Sequence, residues 1–153
     1  MTTVTLDAIE AEHNRIGQLI EQFKSQHATA VYHFPEALIT LQPGEHYAGL
    51  IIGQDGQPSY HLVLLPGELE SANWNDAVQW AGEQEGKLPD RREQSLLYAN
   101  LKDQFKPEWY WSSQDHESVS GYAWCQYFYH GGQSYDHKCS ELRARAVRRL
   151  IIE

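Results

Sequence analysis

The chain is short of several residue types, and each shortage closes off a class of protein. Only two cysteines, Cys125 and Cys139, occur in 153 residues. Two thiols cannot make a multi-bridge disulfide scaffold, so the fold must rest on a hydrophobic core. No apolar run approaches the roughly 18 residues of a membrane-spanning helix, so membrane insertion is not expected. The opening MTTVTLDAIEAEHNRIG carries early acids and no basic segment followed by an apolar one, which argues against a secretory leader. The default address is the cytoplasm, with a virion as the alternative, since assembled particles carry unsignalled proteins. Basic side chains number 12 against 21 acidic ones, for a net charge of −9. Such a balance repels a phosphate backbone, and no nucleic-acid partner is expected. The basic residues gather near the end, in RARAVRR: residues 138–153 carry +3 and residues 1–137 carry −12. That alternation predicts a strand with its arginines on one face, solvated and turned toward the acidic body.

What is present is 41% apolar, enough for a real core in one domain of this length. Leu6, Ile9, His13, Ile16, Ile20 and Phe23 step by three and four residues, a heptad-like seam on a helix for which Asp7 is the candidate N-cap and Glu10 its box partner. Two heptads are not stable alone in water. The seam therefore either docks on the domain or makes a homo-oligomer through residues 6–23. Residues 1–28 read as this N-terminal segment and residues 29–153 as the domain. YAGLIIG and SYHLVLLPG flank QDGQP, which predicts an antiparallel hairpin over residues 47–65. Asn73 and Asp76 cap WNDAVQWAGEQ, with Trp74, Ala77, Val78 and Ala81 as its buried stripe. Asp90 and Glu93 box RREQSLLYANL, with Leu97, Leu101 and Phe105 facing inward. Short aromatic strands follow in EWYWSS and GYAWCQYFY, then the HGGQ turn, and ELRARAVRRLII returns to the sheet. The class is α+β.

YHLVLLPGE, WNDAVQWA, GKLPDRREQSLLYANL, WYWSS, YAWCQYF, the Gly131-Gly132 turn and RARAVRRL together resemble, in order and spacing, the bacterial and phage family of DUF1566 or Lcl C-terminal-like domains. The resemblance covers residues 58–152. It implies a C-type-lectin-like fold, two helices packed on antiparallel strands, with the N-terminal helix as an addition. It also implies a prophage-encoded or surface-associated binding module. In bacteriophage receptor binders diversified by retroelements, such a fold displays a variable surface near its C-terminus. The matching positions here are Gln126, Tyr127, Tyr129, His130, Ser134, Tyr135, Asp136 and His137.

The residues themselves support a binding surface there. Alternation in GYAWCQYFY places Tyr122, Trp124, Gln126 and Phe128 on one face and Ala123, Cys125, Tyr127 and Tyr129 on the other, with Trp124 and Phe128 as core anchors. Tyrosine combines a rigid apolar area with a hydroxyl, and with His130, Tyr135, Asp136 and His137 nearby the turn makes an aromatic and polar patch for a protein or a cell-surface glycan. The plainer alternative is that these tyrosines merely cover a small sheet. His130, His137, Cys139 and Cys125 match no compact zinc spacing. Trp74-Asn75-Asp76 spells a calcium-lectin triplet, but it opens a helix, where capping explains it. No metal, no cofactor and no catalytic residue is therefore expected. Formylglycine-generating enzymes share the broad fold, and they make an oxidase with Cys125 and Cys139 the competing enzyme reading. Otherwise the two thiols are free and partly buried, or bonded to each other.

Overall fold

Caps and turns of short range start most of the elements. A computed structural model describes residues 3–29, 31 and 33–153. The chain divides into two compact units, residues 1–35 and 36–153.

The first unit is built on helix α1, Leu6–Gln26. Its N-cap is Thr5, whose Oγ1 accepts from the Ala8 amide at 3.3 Å, and not Asp7. Asp7 falls instead in the first turn, where a carboxylate favours the positive end of the helix dipole. No residue of α1 is buried, and the seam side chains are exposed, from 48% at Ile20 to 68% at Leu6.

The second unit is α+β, with helices flanking two sheets. Strands β1 (His46–Ile51) and β2 (Tyr60–Leu64) form the expected antiparallel hairpin, turned by Asp55 and Gly56 at φ 53° and 79°. The final strand β8 (Val147–Ile151) returns to pair with the other edge of β2. A second sheet takes the order β3-β7-β4-β5-β6, from Leu69–Ala72 (β3), Trp109–Asp115 (β4), Tyr122–Tyr127 (β5), Gln133–His137 (β6) and Leu142–Ala144 (β7). Helix α2 (Trp74–Glu83) packs against β3, β7 and β4, and α3 (Arg91–Leu101) against β1, β4 and β5.

Both helices start as the capping pattern requires. Asn73 Oδ1 accepts from Asp76 N at 3.0 Å; Asp90 and Glu93 exchange side-chain-to-backbone bonds of 2.8 Å in each direction. The expected α2 stripe needs one correction. Ala77 and Ala81 are buried, but Val78 is 42% exposed and Trp80 packs on the core in its place. Positions 77, 80 and 81 share a narrower face than 74–81 as a whole.

Strand β4 is buried on both faces, and that decides the core. Neighbouring residues Tyr110 and Trp111 point oppositely, as pleating demands. Trp111 enters the layer beneath α2 with Ala77, Ala81 and Cys125; Tyr110 enters the layer beneath α3 with Leu62, Leu64, Leu97 and Phe128. Each aromatic keeps a polar partner: Trp111 Nε1–H donates to Ala72 O at 2.9 Å, and the Tyr110 hydroxyl to Glu68.

The arginine stretch does not form one solvated face. The strand breaks at Arg145–Ala146, between β7 and β8. Arg145 is 8% exposed and donates to the carbonyls of Gln104 and Leu65, while Arg143, Arg148 and Arg149 pair with Glu68, Glu45 and Glu93.

Candidate functional site

The segment 133–137, expected as part of a turn, is strand β6, in antiparallel register with β5: Tyr122 opposite His137, Trp124 opposite Tyr135, Gln126 opposite Gln133. Opposed residues share a face. Six of the eight sequence-predicted residues therefore separate onto two faces of one sheet, and Tyr129 and His130 lie in the turn between β5 and β6.

On one face the rings gather around Trp124. Tyr135 meets the indole edge-on at a centroid distance of 5.4 Å, and His116 stacks on it at 5.1 Å and 17°. Tyr135 also meets His116 at 4.2 Å and Tyr122 at 6.0 Å, and His137 meets Tyr122 at 5.2 Å. The Arg91 guanidinium lies 3.5 Å over the Trp124 ring, and Trp124 Nε1–H donates to Glu117 at 2.9 Å. That bond holds the exposed Glu117 carboxyl below the usual carboxylate range. Trp124 is thus not a core anchor but a half-exposed platform; its neighbours Ala123 and Cys125 fill the core.

Gln126 is likewise not a contact residue: it is fully buried. Its Nε2 donates to Gln94 O at 2.9 Å, and its Oε1 accepts from Gln133 Nε2 at 2.9 Å. Gln133 in turn accepts from Arg91 Nε at 2.8 Å and donates to Arg91 O at 2.7 Å. This amide chain fixes the guanidinium over Trp124. Alternation set Gln126 on one face with Trp124 and Phe128, and α3 covers the Gln126 end of that face while Trp124 stays partly exposed.

Beside the rings lies an open groove of about 600 Å³. Arg91 and Gln133 belong to both, and Arg92, Ser113, Gln114 and Arg149 continue the lining. Arg91 N–H donates to Gln114 Oε1 at 2.8 Å, which ties the groove's floor to the start of α3.

A second, smaller group sits at the β5–β6 turn. Tyr127 stacks on Trp109 at 5.0 Å and 19°, with Tyr129 at 6.0 Å and His130 edge-on at 4.8 Å. Tyr129 is 63% exposed. Phe128 anchors this turn as expected, buried and stacked on Phe105 at 3.9 Å. The remaining two residues have local tasks. Ser134 is exposed opposite Cys125, and Asp136 Oδ1 braces the following turn by accepting from His137 N and Ser140 Oγ.

His116, His130 and His137 share one feature. Each accepts a backbone N–H at Nδ1: from Ser118 and Val119, from Gly132, and from Cys139, at 2.9–3.1 Å. In the neutral ring the proton then sits on Nε2, which leaves that N–H as a donor.

Both cysteines are free, Cys125 buried and Cys139 exposed rather than partly buried. Burial, with Asp136 adding to it, pushes the Cys125 thiol up to about 12. Among the described residues no three His, Cys, Asp or Glu side chains gather as a metal-binding group, and no helix is long and apolar enough to cross a membrane.

Sequence reasoning missed Arg91, His116, Glu117 and the platform role of Tyr122 and Trp124. One signal was available: QSYDH alternates and follows GYAWCQY at hairpin distance, so Tyr135 and His137 had to face Trp124 and Tyr122. Comparison of the chain with protein-family models and with curated proteins found no match.

Proposed function

We propose that this protein is a calcium-independent binding module of C-type-lectin-like fold, recognising a protein or a surface glycan through the β5–β6 face. The observation that carries the reading is the ring group of Tyr122, Trp124, Tyr135 and His116, held beside a concave groove by the shared Arg91. Rigid aromatic area next to fixed polar groups suits recognition of sugar faces and of peptide surfaces alike. The platform is stiff because Arg91 is fixed by Gln133, which is tied in turn to the buried Gln126 and through it to the Gln94 carbonyl, so little order has to be created on binding. The lectin-like assignment is supported by two helices flanking the sheets and by β8 closing back onto β2. In the phage-related version of this reading, a diversified receptor binder, natural variation falls at Tyr122, Trp124, Tyr135 and His137 and spares Gln126.

The test is a glycan array and a panel of immobilised cell-surface proteins, each probed with and without chelator. Binding survives chelation, and Tyr135→Ala weakens it about tenfold or more, as expected of an aromatic hot spot. Tyr135 is 46% exposed, so its removal leaves thermal stability nearly intact. Undiminished binding by Tyr135→Ala and Trp124→Ala would reject the face. A parallel loss in Tyr129→Ala alone would move the site to the β5–β6 turn.

A further inference from the structure

The seam of α1 carries five large apolar side chains, Leu6, Ile9, Ile16, Ile20 and Phe23, each about half exposed or more. In heptad terms Leu6, His13 and Ile20 occupy a positions and Ile9, Ile16 and Phe23 occupy d positions. Charge is unevenly spread along the same helix. Residues 3–14 contain Asp7, Glu10 and Glu12 and no Lys or Arg; residues 15–27 contain Arg15 and Lys24 against Glu21. Two copies side by side in parallel would set acidic half against acidic half and His13 against His13. Reversed, each acidic half meets the more basic half of the other, and the helix dipoles oppose.

We infer that α1 pairs with α1 of a second copy of this chain as an antiparallel two-helix coil. One register seats every seam position: Leu6 against the second copy's Phe23, Ile9 against its Ile20 and His13 against its Ile16, each layer occurring twice. His13 then packs beside isoleucine and never meets its own counterpart. Glu12 flanks the second copy's Leu19, and Glu10 its Gly17, where the missing side chain lets the helices approach. The ion pairs Arg15–Glu12 and Lys24–Glu21 lie within one helix at 3.6 and 3.4 Å and stay at the solvent rim. A seam of six positions is short beside the interfaces of stable dimers, so the pair is weak and forms toward the high end of the concentration range. This inference is independent of the binding face, and the two stand or fall separately.

The experiment uses the full chain with Cys139→Ser, which removes the exposed native thiol. Sedimentation equilibrium from about 10 µM to 1 mM should show the mass rising from one chain toward two. Ile16→Asn/Ile20→Asn should hold it at one chain while the circular dichroism and melting of residues 36–153 stay unchanged. For direction, a chain with Glu12→Cys is mixed with a chain with Leu19→Cys under mild oxidation. The antiparallel register yields the mixed disulfide in excess over either self-pair. A chain with His13→Cys that crosslinks to itself efficiently shows a parallel pair and overturns the inference. So does a mass that remains at one chain at the highest concentration, or one that rises to three.

Discussion

Replacing Arg149 by methionine should destabilise the protein more than replacing its partner Glu93 by glutamine, and the difference follows from which of the two can reach water. Glu93 is 0% exposed. Its Oε1 accepts from the Tyr60 hydroxyl and from Arg149 Nε, both at 2.6 Å, and its Oε2 from Asp90 N at 2.8 Å and Arg149 Nη2 at 3.1 Å. The Arg149 side chain is 31% exposed. Arg149→Met strands a buried carboxylate with only two neutral donors, a loss of about 3–5 kcal/mol. Glu93→Gln keeps an oxygen for the Asp90 amide and a group beside Tyr60, and the freed guanidinium turns to solvent, so about 1–2 kcal/mol is expected. In the double variant the sealed carboxylate is gone together with its cation, and only the partly exposed Asp90, 4.0 Å from Arg149, loses a neighbour, so its cost should lie near that of Glu93→Gln alone. The coupling energy is then about 3–5 kcal/mol, the cost of Arg149→Met itself. Urea unfolding of the four proteins measures it, with the midpoint moving and the slope unchanged. Arg149→Met costing under about 1 kcal/mol, or less than Glu93→Gln, would refute the premise that this carboxylate is sealed from water.

Two further outcomes follow from single groups. The bidentate bond from Arg148 holds the Glu45 carboxyl below its ordinary value, so its stabilising contribution is complete above the unfolded-state value near 4.3 and fades as pH falls through the lower folded value. Glu45→Gln should therefore be about 1 kcal/mol less stable than the parent at pH 7, the gap closing in acid; a gap constant with pH would contradict this. A disulfide-exchange reagent at pH 8 should titrate one thiol in the native protein and two in urea, because Cys139 is exposed while Cys125 is buried with its thiol pushed up to about 12. Two fast native thiols would show that the layer beneath α2 opens readily.

The starts of α2 and α3, the hairpin of β1 and β2 and the heptad seam of α1 were all readable in the sequence, because each depends on residues three to seven apart or on a turn between two runs. Asn73 and Asp90 need nothing beyond their own helices to act as caps. The proposed binding face was only half readable. The tyrosine-rich stretch was located, yet Tyr127 and Tyr135 fall on opposite sides of the sheet, and Gln126 proved to be a buried strut. Pairing of β6 with β5 and cover by α3 are long-range facts. Whether a strand is dry on one face or two depends on what packs against it, and α3 enters the sequence about thirty residues before Gln126. In Arg91 the chain supplied a helix-starting cation whose meaning came only when the fold laid it on Trp124. Local hydrogen bonding and periodicity thus set the elements, while the composition of the aromatic β5–β6 face was decided by layers stacking from distant parts of the chain.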